Sequence, residues 1–485
     1  ERALLAHLLG SADRVHLSWP SSDDDGRLVP VSPQIEALRL ARPDLAVQVV
    51  PVPGSASDPP PGLEAVPRPP MEHAMRVALG GGPDDAEAVA LVALAMGRNP
   101  GAAVAARARV RIRQEMDAPP GSLGLGPYLG LVGPVIGADP RRGPVAVTTL
   151  ERVATCGWQA FLSHVLRVEA PPAASADLPA IDERLVGTLV HAVLERIVRD
   201  ATDLDDRALD LDAALRRSPT PVPWPPPTVL DALVTRLGEQ LAREEGLGLP
   251  GLWRVLARRA HPYLDVARAF DWKDGPPPVL AVEVEGRVEM AVDGAPRSIH
   301  FRADRVDRDP EGRVIVTDYK TGKPVSTLKT PARRDAAVFD ALARGERIQA
   351  ALYARAAGGD SVGRYLSLKP DVVEADDNRR EARLPSETNT RPEVMDRLAL
   401  VVERVMRAWD AGSLLPRLVD DRGEVPSACD WCRVRAACLQ GDTTARKRLL
   451  AWAEGESRGP RGPASARDLW RIADPPDGNL GEETA

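Results

Sequence analysis

Shortages in this chain exclude several classes of protein before any motif is read. Only four cysteines occur in 485 residues, and without an export-signal pattern disulfides are the poorer explanation for them. No apolar run approaches the ~18 residues of a membrane-spanning helix, so no membrane role is indicated. A Gly-x-x-x-x-Gly-Lys-Ser/Thr loop is also missing, and phosphate-loop ATP hydrolysis is therefore not expected. Basic residues fall short of acidic ones, and the net charge of -7 argues against a protein that coats nucleic acid nonspecifically. A local basic groove within an acidic chain stays open. Aromatics are scarce at 4%.

What remains is an ordinary globular composition, 44% hydrophobic and 27% charged, in a chain long enough for about two to four domains. The default location is the cytoplasm. Opening on Glu1, the chain is expected to be a fragment of a longer protein. The 47 prolines and 39 glycines concentrate in stretches such as Val50 to Gly54 and Pro59 to Gly62, which read as linkers. Before residue 147, Val15 to Trp19 reads as a strand and Pro33 to Leu40 as the start of a helix.

The rest of the chain is organised around Asp304 to Lys320. Val314-Ile315-Val316 has the β-branched composition of a buried strand, and side chains two apart on a strand share a face. Asp318 and Lys320 therefore point the same way. Asp304 ends the preceding strand, before a turn carrying Asp309-Pro310 and Gly312, so the two strands form a hairpin or close pair. Carboxylates about 4 Å apart repel by roughly 4 kcal/mol at an effective dielectric of about 20. Such a pair needs a cation, a proton or a bonded partner, and a divalent metal is the simplest.

Upstream, Leu185, Val186, Leu189, Val190, Val193, Leu194, Ile197 and Val198 recur at helical spacing and predict a helix over 184–199. His191 lies outside that apolar face, one turn after Gly187, whose missing side chain is expected to open room beside the imidazole. Thr148 with Glu151 reads as a capping box at the start of a helix carrying Cys156. Residues 200–277 read as a helical insertion with a stiff Pro-rich surface connector at 219–227 and arginine-bearing helices behind it. Strands follow at 279–285 and 299–304, then a helix with Gln349 and Tyr353 one turn apart, a strand at 362–368 and a helix at 393–411. Cys429, Cys432 and Cys438 cluster near the end. With Cys156 they make four thiolates, enough for a tetrahedral zinc or an iron-sulfur site.

Asp304 with Asp318-Tyr319-Lys320-Thr321-Gly322 resembles the PD-(D/E)XK nuclease signature in its RecB-like form, and Gly187-x-x-x-His191-x-x-x-Glu195 is similar to the helix that supplies a histidine metal ligand there. The resemblance spans about 148–440. It implies an α/β fold with a restriction-endonuclease-like αβββαβ core, Mg2+ (or Mn2+) held by His191, Asp304, Asp318 and the Tyr319 carbonyl, and Lys320 orienting or activating the attacking water. Gln349 and Tyr353 would contact substrate. The cysteine spacing resembles the 4Fe-4S staple of AddB-type nuclease domains, which implies a cluster on Cys156, Cys429, Cys432 and Cys438. Val15 to Pro20 with Gly26-Arg27 and Pro30 to Pro33 resembles the end of the degenerate helicase region of such subunits, so 1–147 is expected to be a helicase-like fragment and 441–485 a loosely ordered tail. The implied function is a metal-dependent DNA exonuclease, directed at single strands, in a double-strand-break repair complex with a helicase-nuclease A subunit. Alternatives are a stand-alone or CRISPR-associated iron-sulfur nuclease, and a catalytically silent subunit that binds DNA ends.

Overall fold

The computed structural model describes residues 125–169, 181–202, 208–247, 251–385, 392–419, 424–454 and 463–473, with short pieces before residue 48, between 108 and 112, and at 204. The chain divides into two units, Glu1–Val110 and Arg111–Ala485. In the first, the expected helix forms over Pro33–Ala41, with proline at its first position where the missing N–H costs nothing. Val15 to Trp19 is not the expected strand. A strand exists through its ladder, and no described segment pairs with these residues. Pro20, Gly26 and Arg27 of the helicase-like match lie outside the described residues, as do the linkers at 50–54 and 59–62.

The second unit is a mixed α/β fold. In chain order its main elements are β1 (Val145–Ala146), α1 (Val147–Thr155), α2 (Glu183–Thr202), β2 (Leu209–Asp210), β3 (Thr220–Pro221), α3 (Pro227–Glu244), α4 (Leu252–Asp271), β4 (Pro278–Val292), β5 (Ala295–Arg308), β6 (Val314–Lys320), α5 (Pro331–Ala343), α6 (Gln349–Ala357), β7 (Ser361–Ser367), β8 (Glu381–Pro385), α7 (Pro392–Ala411), α8 (Thr443–Glu454) and α9 (Ala464–Trp470). The sheet runs β2-β4-β5-β6-β7-β8, with β1 beside β5 and β3 beside β4. Strands β4, β5 and β6 form an antiparallel meander, and β7 returns parallel to β6 after the α5–α6 crossover. With β2, β3, α3 and α4 of the 200–277 segment set aside, the order from α2 onward is the expected helix, three strands, helix, strand, the second helix being the α5–α6 pair.

Two helical layers cover the sheet. Leu150 and Val153 of α1, Leu352 of α6 and Val401 and Val405 of α7 share one core with Val306 and Val316. Helices α2, α3 and α4 share the other with Val282, Tyr319, Leu366 and Leu368. The inner half of β4 is buried on both sides and reads as a continuous apolar run, while its outer half alternates buried and exposed. Asp293 and Gly294, at φ 50 and 76, close the β4–β5 hairpin as a two-residue turn between the paired Val292 and Ala295.

Two expectations about the periphery need correcting. The Pro-rich stretch is a surface connector only in part: Pro219, Pro221, Pro223, Pro226 and Pro227 are exposed, but Val222 is fully buried, its carbonyl accepts from Trp272 Nε1 at 2.8 Å, and Trp224 packs edge-on against Trp272. Nor is everything beyond Gln440 a loose tail. Helices α8 and α9 bury Ala445, Leu449 and Ala466 in a third small core with Leu129, Leu415 and Leu418, and Arg417 stacks on Trp470 at 4.4 Å. An aromatic and aliphatic face at helical spacing found a partner there that the Pro- and Gly-rich flanks concealed.

Candidate active site

The end of β6 carries the chemistry. Val316 is in the first core, so Asp318 and Lys320, in phase with it, open toward α6, while Tyr319 points into the opposite core. Lys320 Nζ lies 2.5 Å from Asp318 Oδ2 and donates to Gln349 Oε1 at 2.7 Å. The Tyr353 hydroxyl sits 3.0 Å from the Arg302 carbonyl and 3.3 Å from Asp318 Oδ1. Gln349 and Tyr353 are buried, 4% and 0% exposed. Their side chains thus hold the lysine and the aspartate of β6.

Asp304 approaches from β5. Its Oδ2 accepts the Tyr319 N–H, which fixes it against the peptide between Asp318 and Lys320. Its Oδ1 faces His191 Nδ1 at 3.2 Å. His191, Asp304, Asp318 and Lys320 are therefore brought to one place from α2, β5 and β6. Gly187 has another role than the one expected. A Cβ there would meet Thr321 Oγ1 at 2.9 Å, so the glycine admits the residue after Lys320, not the imidazole. Glu151 also departs from expectation: α1 starts at Val147, and Glu151 Oε1 instead accepts the Ile348 and Gln349 N–H groups at 2.9 and 3.2 Å, capping α6 from outside.

Glu195 closes the Gly187-x-x-x-His191-x-x-x-Glu195 pattern, whereas Glu283 stands in no motif of the sequence. Both line a small pocket with His191, Asp304 and Tyr319. Glu283 sits at φ 50, close to a β4 irregularity, and pairs with Arg302. Its position as the sixth residue of a Val-rich strand that pairs with the Asp304 strand was the available signal. A buried ionic network backs the site. Asp271, at the end of α4, contacts Arg305 at 2.9 Å, Arg364 at 2.9 Å and the Tyr319 hydroxyl at 2.8 Å. The expected insertion therefore supplies a residue that ties down Tyr319.

The electrostatics fit a cation. Burial raises the Asp318 carboxyl above the ordinary carboxylate range, Lys320 opposes this, and the Asp304 charge adds to it. Burial and Asp304 likewise push Glu283 up to about 7. Asp318 Oδ2 is buried and no directed hydrogen bond reaches it, its neighbour being the Lys320 ammonium. Excess carboxylate oxygen with one imidazole suits Mg2+ or Mn2+. Among the described residues, however, no three His, Cys, Asp or Glu side chains converge on one metal-sized point. The carboxylates are taken up by His191 and Lys320, and those ion pairs must open for a metal to be held.

His191 gives a pH prediction. Burial disfavours its charged form, but Asp304 outweighs this and the ring is raised to about 9. A group raised on folding stabilises fully below its unfolded pKa of about 6.5, and loses that contribution as pH rises through the folded value. In EDTA, the melting temperature of wild type relative to His191→Ala is expected to fall between about pH 6.5 and 9. Parallel melts across that range would remove the His191–Asp304 ion pair from the account.

The four cysteines occupy one neighbourhood. Arg417 joins two of them, its N–H reaching Cys156 Sγ at 3.4 Å and its carbonyl lying 4.0 Å from Cys429 Sγ. Burial pushes the Cys438 thiol up to about 11, with Cys156, Cys432 and Cys429 adding to it.

No curated protein matches the chain. Among solved structures, "Crystal structure of SSO0001" is similar at 15% identity over 53% of this chain and 94% of that one, with a TM-score of 0.21. The model of the PD-(D/E)XK nuclease superfamily matches residues 144–439, which include His191, Asp304, Asp318, Lys320 and all four cysteines. With more than half its length so matched, the chain belongs to the PD-(D/E)XK nuclease superfamily.

Proposed function

We propose that the chain is a divalent-metal-dependent deoxyribonuclease, an exonuclease directed at single strands, acting in the cytoplasm as the nuclease part of a double-strand-break repair complex with a helicase-nuclease A subunit. The observation that carries the catalytic reading is the Lys320 ammonium held between Asp318 and Gln349 beside the Asp304–His191 pair. The helicase-like reading of 1–147 and the complex rest on the sequence resemblance.

His191, Asp304, Asp318 and the Tyr319 carbonyl would hold the metal, which when bound supplies a water of lowered pKa and neutralises phosphate charge. Lys320 is positioned to donate to the attacking water and to the oxyanion charge that develops on the scissile phosphate. Gln349 keeps its ammonium on the β6 face, and the Tyr319 N–H keeps Asp304 oriented. Cleavage of 5′- and 3′-labelled single- and double-stranded oligonucleotides with Mg2+, Mn2+ or EDTA tests this. Metal-dependent end-wise shortening of single strands is expected, and no metal-dependent cleavage of any DNA would reject the reading. His191→Ala should raise the metal requirement by ~10-fold or more, a size typical of lost groups that tune metal sites.

For Cys156, Cys429, Cys432 and Cys438 we propose a structural 4Fe-4S cluster, supported by the Arg417 backbone that links Cys156 with Cys429 and by the influence of the other three thiols on Cys438. Tying residues so distant in sequence removes unfolded-state entropy, so each Cys→Ser variant should melt lower and lose the brown colour. Anaerobic purification with iron, sulfide and zinc analysis decides it. Stoichiometric zinc without sulfide would replace the cluster with a zinc clamp.

A further inference from the structure

Trp431 is out of place for a tryptophan. Of the nine in the chain it alone is exposed, at 86%, while Trp272 and Trp409 are 8% and 4% exposed and the other six are partly buried. It stands on the cysteine loop with Arg433 and Arg435, both exposed. From Cys429 to Arg448 there are five basic and two acidic residues in a chain whose net charge is -7. A bare indole costs solvation and offers a flat π face, and beside arginines it has the makings of a stacking platform for unpaired bases.

A second feature is on α1. Arg152, on α1, has as its side-chain partner among the described residues the His164 ring, Nη1 to Nε2 at 2.5 Å, and not a carboxylate. A guanidinium can only donate, so His164 must accept as a neutral imidazole there. Burial and the nearby charge of Arg433 both hold Arg152 below its ordinary pKa. Glu245 is the acid that Arg433 influences, and it already has Arg184 at 2.8 Å. An anion between Arg152 and Arg433 would relieve their repulsion.

The path from there to the catalytic strand is short in bonds. Arg152 follows Glu151, which caps α6 through the Ile348 and Gln349 N–H groups, and Gln349 holds Lys320. We infer that Trp431 stacks an unpaired base and that Arg433 with Arg152 takes an adjoining phosphate of a single-stranded DNA segment leading toward Asp318 and Lys320. The inference rests on the nuclease reading and adds to it a binding subsite outside the metal site. It also gives the cysteine loop a second task, since whatever fixes that loop fixes the platform.

The test is binding of a fluorescein-labelled 15-nucleotide oligo(dT) to the full chain in EDTA, read by anisotropy. Trp431→Ala should bind about 10-fold or more weakly, the loss expected of one stacked base. Trp431→Phe should recover most of the affinity. Binding of a 15-base-pair duplex should be unchanged by Trp431→Ala, because paired bases offer no free face. Arg433→Ala should lower the slope of log affinity against log salt by about 0.7, the share of one phosphate contact on a single strand. Unchanged oligo(dT) binding by Trp431→Ala, or equal losses on single strand and duplex, would overturn the inference. The nuclease reading is tested separately by wild-type hydrolysis of bis(p-nitrophenyl) phosphate with Mn2+. Failure there leaves the oligonucleotide result to stand or fall by itself.

Discussion

Asp318→Asn and Lys320→Ala are each expected to reduce metal-dependent DNA cleavage by at least on the order of 10²–10³-fold, as loss of one preorganised electrostatic group does elsewhere. The two variants should part company in stability. Asp318 is a buried carboxylate already raised by burial, and its Oδ2 has no directed donor. An amide there removes a charge that folding disfavours, and Lys320 keeps Gln349 Oε1. Asp318→Asn should therefore melt at or above the wild-type temperature in EDTA. Lys320→Ala takes away the cation 2.5 Å from that carboxylate and leaves it buried beside Asp304, so it should melt lower at neutral pH and recover as the medium is acidified. Single-turnover rates at saturating Mn2+ with melts at pH 5 and 7.5 read both effects. Full, EDTA-sensitive activity in both variants would remove β6 from the chemistry, and identical melting behaviour would mean that Asp318 is not held against Lys320.

What could be read in the sequence is what local periodicity encodes. Alternation at Val314 to Lys320 put Asp318 and Lys320 on one face, and a 3.6-residue stripe left His191 off the apolar side of α2, where it meets Asp304. What could not be read depends on register between distant segments. Glu151 caps a helix almost 200 residues away, a pairing that spacing within α1 cannot announce, and a capping-box pattern pointed the other way. Gly187 faces Thr321 because α2 crosses the end of β6 there, and the crossing is set by side chains on both elements. Asp271 reads as an acid at a helix end, yet with Arg305, Arg364 and Tyr319 it is one of the most deeply buried charges in the protein. Glu283 was hidden because a carboxylate in a strand normally marks the solvent face, whereas this one, at φ 50, lines the pocket with His191 and Asp304.

The same dependence on close approach makes Gly363→Ala the most damaging small substitution in the sheet. Gly363 lies in β7, opposite Val316 of β6 and Leu384 of β8. A Cβ there would stand 1.7 Å from the Ala350 carbonyl oxygen and 2.4 Å from its carbon. Those atoms are backbone, so no rotamer change makes room and the first turn of α6 must lift from the sheet. That turn carries the Gln349 side chain on Lys320, the Ile348 and Gln349 N–H groups on Glu151, and the Ala350 N–H on the Tyr365 hydroxyl at 3.0 Å. Overpacking of this kind costs about 1–3 kcal/mol, and more where rigid backbone must move. Breaking the buried contacts of Glu151 and Tyr365 adds to it. Gly363→Ala is thus expected to lower the melting temperature by roughly 5 °C or more. Measured well below that temperature, cleavage should also fall by about 10-fold or more, because displacement of about 1 Å in a positioning group is enough for such a loss. Urea melts with cleavage assays at 15 °C separate the two effects. Wild-type stability and rate together would mean that α6 does not hold Lys320 through this contact.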